Sequence, residues 1–541
     1  MRKEKREKTE KTENESTISL RAWTTLLVLG LAVLITMYGE TMLLPAIPDI
    51  INELGISYNT SSWILTAYLI SGAVMTPIAG KLSDVYGRKK MVLIILIIYI
   101  IGIAIGAWSA NFYIMLLSRI IQGIGISMFP IAFGIIRELL PAQKLAIGVG
   151  IFTSMFAAGS VVGLGLGGTI VQHLGWRTTF FSMLPFAILL WFAIKNYVKD
   201  DSQYDFNLQN KSKIGNTIFG SKSNNRFSNV IDIKGAILLT ITITTFLLAI
   251  TFIGNINSHE NVPVNNSYNI NNNSIITYNS IFYEFLILIS ITVISLVLFI
   301  IVEKKAVSPL IDLNLFSNKV FLFSNILILT LGLPMFLVYQ TIPFLVRSPP
   351  PAGFGGSAVE SALVQLPFMI IFLIFAPASG FIISKIGSIK PVVLGTIISL
   401  VGFLGMFAFH STEILVGGNL AVIAVGFALL NTGVFNIIMI STPIQFSGIS
   451  LGMSVVIMII GMSIGPIVAG FFMQTFQTTD SSTLTGVTAT AALTNSSHPS
   501  AIAYNLIFLT GIIISSISII LAFMLRKKIK QLDIKEEQQK L

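Results

Sequence analysis

The sequence predicts an all-α integral membrane protein: two six-helix bundles flanking a pair of inserted spanning helices, fourteen spans in all. Three observations carry that prediction. The 541 residues are 54% hydrophobic and only 11% charged, with a mean hydropathy of +0.83, whereas a soluble domain carries about 25% charged residues. Basic residues alternate between successive loops in a way that orients every span. Motifs in the first half of the chain recur in the second at a nearly constant offset. The first observation argues against a soluble enzyme or a nucleic-acid-binding protein. The absence of cysteine rules out disulfides and thiolate metal sites, and four scattered histidines give no histidine metal cluster, so no metal site is expected.

A spanning helix needs about 20 mostly apolar residues. Such stretches fall at 22–45, 60–80, 90–109, 112–135, 146–171 and 178–195, the last interrupted by Pro185. Two more follow at 231–254 and 279–302, and a further six at 320–346, 358–384, 389–409, 414–440, 447–473 and 501–525. The chain thus divides into a tail (1–21), a first bundle (22–195), a central linker with the extra pair (196–319), a second bundle (320–525) and a tail (526–541). The first tail is highly charged, unlike the short basic start of a signal peptide, so the first span is expected to be retained. Of the 34 Lys and Arg residues, 31 lie in the two tails and the even-to-odd loops; Arg177 and Arg347 lie in the opposite loops and Arg119 inside a span. Positive residues stay inside, which puts both termini in the cytoplasm of a multi-pass cell-membrane protein. The sequence pI of about 9.5 then reflects topology and not nucleic-acid binding. On the outer side, 254–274 and 477–500 read as Asn/Ser/Thr-rich connectors, and 347–357 is expected to run extended around its three prolines before turning at its glycines.

Pro77, Gly80, Gly87 and Lys90 reappear as Pro377, Gly380, Gly387 and Lys390, each 300 residues on. Gly159, Gly163 and Gly168 of the fifth span reappear as Gly461, Gly465 and Gly470 of the thirteenth, each 302 on. Two matched sets at nearly equal offsets describe parallel repeats with spans seven and eight inserted between them. Two such bundles around a central cavity can rock open to either side, which is the architecture of a secondary transporter.

The loop after span two, Gly80-Lys-Leu-Ser-Asp84-Val-Tyr-Gly87-Arg88-Lys89, has the form G-x-L-x-D-x-x-G-R-K. Here the chain resembles the major facilitator superfamily. The resemblance implies a major facilitator fold in which Gly80, Asp84, Gly87, Arg88 and Lys89 latch the halves together on the cytoplasmic side. The second copy has Ser384 and Ser388 at the charged positions, so any latch is lopsided. In span four, Arg119-Ile-Ile-Gln122-Gly123-Ile-Gly125 resembles the same superfamily's R-x-x-Q-G-x-G pattern. Arg119 lies six residues beyond Tyr113, about 9 Å deep at helical rise, and an arginine at that depth is expected to face the bundle interior. Glu40, the only carboxylate well inside a span, is eight residues before Pro48, or about 12 Å. The two are expected to be electrostatically coupled, Glu40 exchanging a proton as access alternates.

Gly159, Gly163 and Gly167 recur every four residues and, with Gly168, resemble the antiporter motif G-x-x-x-G-P-x-x-G-G, except that Leu164 replaces its proline. Gly461, Gly465, Pro466 and Gly470 form a second partial copy, with Ala469 for one glycine. The stretch from Glu40 to Pro48 is similar to the first-span motif of fourteen-span drug/proton antiporters, with Gly39 where those proteins usually carry aspartate. That resemblance, running from about residue 20 to 525, implies export of amphipathic or lipophilic small molecules driven by the proton gradient, with no cofactor. The implied partners are a small-molecule substrate, protons and the lipid bilayer, with the monomer as the working unit. Tyr68, Gln122, Gln340, Gln365, Asn431 and Asn436 are candidates either for the substrate cavity or for hydrogen bonds between helices. An uptake permease for a small metabolite would share these features, as would, less readily, a receptor or scaffold without transport. No nucleophile–base arrangement or phosphate-binding loop is present, so neither an enzyme nor an ATP-driven pump is expected.

Overall fold

The computed structural model describes residues 20–56, 58–140, 144–198, 232–256, 270–306, 313–442, 447–479 and 497–540. The first bundle is built from α1 (Leu20–Thr41), the short α2 (Ile47–Leu54), α3 (Tyr58–Tyr86), α4 (Arg88–Ala107), α5 (Phe112–Gly123), α6 (Met128–Leu139), α7 (Leu145–Leu174) and α8 (Arg177–Tyr197). The inserted pair is α9 (Ile233–Ile256) and α10 (Ile270–Lys305). The second bundle comprises α11 (Lys319–Arg347), α12 (Ala358–Ile386), α13 (Ile389–Ala408), α14 (Glu413–Ser441), α15 (Ser447–Thr475) and α16 (Ala501–Lys540). Among the described residues, 13 helical segments are long and apolar enough to cross a membrane, and the apolar part of α9, Lys234–Ile250, is shorter. A two-stranded ribbon, β1 (Gln477–Thr479) with β2 (Ser497–Pro499), closes the described ends of the loop before α16.

The elements depart from the expected spans where the backbone chemistry requires it. Pro185 is accommodated inside α8. Span four is not one helix: Gly123 ends α5, a 3-10 turn covers Ile124–Ser127, and α6 resumes at Met128. A Cβ on Gly123 would strike the backbone of Tyr68 in α3, and one on Gly125 the ring of Tyr99 in α4, so the R-x-x-Q-G-x-G glycines are where neighbouring helices come closest. The segment 347–357 turns at its glycines as expected, but it is not extended at its prolines, where the Gly353 amide already donates to the Pro349 carbonyl at 3.0 Å. It folds back on α11, with the amides of Phe354, Gly355 and Gly356 donating to the carbonyls of Leu345, Ser348 and Val346. Carbonyls of the last helical turn lack partners within the helix, and these amides supply them.

The internal repeat is visible contact by contact. In the first half α1 packs on α7 and α8, α4 on α5 and α8, and α3 on α5; in the second, α11 packs on α15 and α16, α13 on α14 and α16, and α12 on α14. The halves meet along two equivalent seams, α3 against α15 and α12 against α7. The glycine motifs serve this packing. Cβ atoms at Gly159, Gly163 and Gly167 would collide with the α1 segment, and those at Gly461 and Gly465 with the backbone of α11, while Gly168 faces Ala358 and Ala362 of α12 across a seam. The inserted helices pair with each other, joined by Thr242–Ser295 and Thr245–Thr292 hydroxyl bonds of 2.9 Å, and α9 leans on α3 and α15 beside one seam only.

Gly87 and Gly387, the hairpin residues after α3 and α12, have φ of 93° and 79°. Side chains rarely adopt that region, and strain there costs about 1–3 kcal/mol. Gly87→Ala is therefore expected to lower stability by that amount, read as an earlier thermal unfolding of the detergent-solubilised protein.

Candidate functional site

The site is organised around the distal end of α1, the end away from the basic α3–α4 hairpin. The helix stops at Thr41, so its last carbonyls have no amide partner within the helix. Three long side chains from neighbouring helices reach the α1 backbone here. Tyr99 of α4 donates its hydroxyl to the Ile35 carbonyl at 3.1 Å, and Tyr68 of α3 donates to Thr36 at 3.1 Å. Arg119 of α5 donates from both terminal nitrogens to the carbonyl of Gly39, at 3.1 and 3.2 Å. A positive charge at a helix C-terminus is favourable, and here it is fully buried. Its guanidinium carbon also lies 5.2 Å from the Tyr68 ring centre and 5.9 Å from that of Phe180.

Arg119 is therefore an interior residue that caps the helix carrying Glu40. It lies within electrostatic reach of Glu40 but makes no hydrogen bond to it: both Glu40 oxygens are buried without a hydrogen-bond partner among the described residues. Gln122 belongs to the support of Arg119 and not to a cavity. Its oxygen accepts from Arg119 at 2.8 Å, and its amide nitrogen donates to Gly102 and Ser118 at 3.1 and 2.7 Å. Tyr68 is similarly engaged, and Tyr99 and Phe180, which sequence reasoning passed over, complete the cage. Gly39 explains the displaced acid: a Cβ there would collide with the Tyr99 hydroxyl and the Met183 side chain. A carboxylate at 39 would require both side chains to shift. At 40 it lies within electrostatic reach of Tyr68 and Tyr99 in its own half and of Tyr339 on α11 in the other.

Below this level the halves close on aromatic side chains. Phe133 of α6 stacks on Phe435 of α14 with centroids 5.4 Å apart, and Arg137 donates to the Thr442 carbonyl at 3.2 Å. Above the stack a cavity of about 20 Å³ is lined by Phe129, Phe156, Met335, Phe372 and Asn431 among others, little more than one water needs. Of the sequence candidates, Asn431 thus lines the seam, whereas Asn436 is tied to Ser388 at 2.7 Å. At the basic end, Arg88 of the α3–α4 hairpin lies over Gly134 of α6, where a Cβ would sit 3.0 Å from its guanidinium carbon. Lys89 is half-buried in the same hairpin, a Cβ at Gly80 would meet open space, and the Asp84 side chain lies outside the described residues.

The opposite end is also closed. Arg347 at the end of α11 makes a two-pronged ion pair with Asp49 of α2, at 2.9 and 3.1 Å, and donates to the Pro45 carbonyl at 3.0 Å. This pair joins the two halves, so opening there must break it. An isolated, partly exposed pair contributes up to about 1 kcal/mol, which is roughly a fivefold population shift. Asp49→Asn is expected to lengthen the distance between spin labels on α2 and α11 in a growing fraction of molecules, and the swap Asp49→Arg with Arg347→Asp to restore the short distance.

With the site in place, comparison with known proteins decides the family. The profile of the Major Facilitator Superfamily matches residues 29–466. The chain belongs to that superfamily. It is similar to the multidrug transporter protein MdtP of Bacillus subtilis, 28% identical over 75% of this chain and 67% of that protein. It is also similar to the tetracenomycin C resistance and export protein of Streptomyces glaucescens, 24% identical over 84% of this chain and 76% of that one. The human organic anion transporter MFSD10 shares the fold, with a TM-score of 0.60 at 14% identity, covering 93% of this chain and 99% of that one. This superfamily member is a multi-pass membrane transporter of small molecules and not an enzyme.

Proposed function

We propose that this transporter is a proton-coupled exporter of amphipathic or lipophilic small molecules, working by alternating access in the plasma membrane as a monomer with both termini cytoplasmic. Glu40 carries the reading. It is a buried carboxylate with no hydrogen-bond partner among the described residues, standing beside an arginine-capped helix end and within electrostatic reach of Tyr68 and Tyr99 in its own half and of Tyr339 in the other. A bare carboxylate is costly where neither water nor a donor reaches it. Discharging it with a proton therefore favours the packed seam, and releasing the proton favours a seam opened to water. That linkage is what couples proton movement to rocking of the two halves. The aromatic lining of the seam suits apolar, planar cargo, and the export role named for the Streptomyces glaucescens relative supports the outward direction.

The reading is tested in inverted membrane vesicles holding an imposed proton gradient. Adding a lipophilic substrate is expected to draw protons out of the vesicle lumen as the substrate accumulates there. Accumulation indifferent to the gradient would overturn proton coupling, and accumulation only in right-side-out vesicles would make the protein an importer.

A further inference from the structure

We infer that Gln340 and Gln365 select the cargo, favouring neutral aromatic amphiphiles that carry carbonyl or hydroxyl groups over lipophilic cations. This rests on the export reading and names its substrate class. Both amides are buried, at 0% and 3% exposure, and neither the oxygen nor the nitrogen of either has a hydrogen-bond partner among the described residues. The other buried amides among the described residues each make at least one bond. Gln122, equally buried, makes three hydrogen bonds, and Asn325 and Asn436 each donate one within 2.8 Å, the Asn325 oxygen alone lacking a partner. A buried amide without partners costs stability, so its presence calls for a group it meets in some working state.

Position supports the same assignment. Gln340 lies seven residues before the distal end of α11 at Arg347, and Gln365 seven residues after the distal start of α12 at Ala358, about 10 Å deep in each case. Both helices pack against the turn Leu44–Ala46, which follows Glu40 by one helical turn. Tyr339, next to Gln340, is within electrostatic reach of Glu40, and its ring packs on Phe368, one turn from Gln365. Ser361, on the same face of α12 as Gln365, adds a buried hydroxyl without a partner among the described residues. An amide-and-hydroxyl level therefore overlies the aromatic lining formed by Phe129, Phe156 and Phe372.

Charge completes the inference. Between Lys319 and Arg526 the acidic and basic residues are Arg347, Glu360, Lys385, Lys390, His410, Glu413, Asp480 and His498, and those among the described residues lie at helix ends or between helices. The second half thus offers cargo no countercharge within its spans, and Glu40 is taken up with the proton. What it offers are donors and acceptors in matched number, which carbonyl and hydroxyl groups satisfy and a tetra-alkyl or tetra-aryl cation does not.

Equilibrium dialysis of the full-length protein in lipid nanodiscs tests this with two probes, dihydroxyanthraquinone and tetraphenylphosphonium. Wild type is expected to bind the anthraquinone more tightly. Gln340→Leu and Gln365→Leu should each weaken that binding about tenfold and leave tetraphenylphosphonium binding unchanged, with thermal stability held or raised because an unpaired polar group is gone. Equal weakening for both probes, or no change for either, overturns the assignment. Preference of wild type for the cation overturns the substrate class alone, while failure to bind either probe removes the export reading with it.

Discussion

Glu40→Gln is expected to reduce proton-driven accumulation to the level of protein-free vesicles while leaving substrate binding and downhill exchange in place. Glutamine has nearly the shape of glutamic acid and cannot change charge, so it freezes the seam in one electrostatic condition without opening a cavity in the first bundle. Glu40→Asp, which retains the titratable group on a shorter stem, should keep a measurable fraction of coupling. The informative control moves the acid by one residue. Gly39→Asp combined with Glu40→Gln restores the aspartate position common in the resembling antiporters, yet a side chain at 39 runs into Tyr99 and Met183. That combination is expected to fail to rescue coupling and to destabilise the protein. Substrate-dependent proton flux, compared with counterflow of labelled substrate in the same vesicles, separates lost coupling from lost binding. A fully coupled Glu40→Gln protein would remove Glu40 from the mechanism.

Much of this arrangement was legible in the chain because it depends on local rules. The two-bundle architecture followed from span length and from glycines recurring 300 and 302 residues apart, and the packing pairs of the two halves match as the repeat requires. The interior placement of Arg119 followed from its depth and the cost of leaving it in lipid. What the sequence hid is tertiary. Residue type does not reveal that Arg119 would cap the Gly39 carbonyl instead of pairing directly with Glu40, because the requirement comes from α1 ending at Thr41, and chain breaks of that kind are set by packing as much as by propensity. Gln122, Gln340 and Gln365 are indistinguishable as letters in apolar spans; only the structure separates the one whose hydrogen bonds are satisfied from the two whose bonds are not. The Arg347–Asp49 pair spans 298 residues of sequence, and no spacing rule connects its members. The segment 347–357 misled for a related reason: its prolines favour extension, but the unpaired carbonyls at the end of α11 are stronger claimants for the glycine amides that follow.

The cap on α1 makes Arg119 the second position where a large effect is expected. Arg119→Met removes a buried charge, both bonds to Gly39 and the partner of Gln122, leaving a helix-end carbonyl and an amide oxygen without donors. Breaking a buried charged network by removing one member typically costs about 3–5 kcal/mol. Insertion should survive, since the apolar spans are intact, but the purified protein should unfold at a lower temperature and proton-driven transport should be lost. Arg119→Lys separates charge from geometry. Lysine keeps the positive charge near Glu40 but brings one compact ammonium where a planar fork now holds Gly39 with two nitrogens and Gln122 with one of them. If positioning of the Glu40 backbone is what Arg119 supplies, the lysine variant should recover most of the thermal stability yet retain only about a tenth of the transport rate. Full transport in Arg119→Lys would mean that charge alone suffices and that the Gly39 contact is incidental. If Arg119 acts through Glu40, adding Arg119→Met to Glu40→Gln should leave the downhill exchange that Glu40→Gln retains unchanged, although the stability losses should still accumulate. A further loss of that exchange would place Arg119 outside the coupling mechanism and leave it a structural cap.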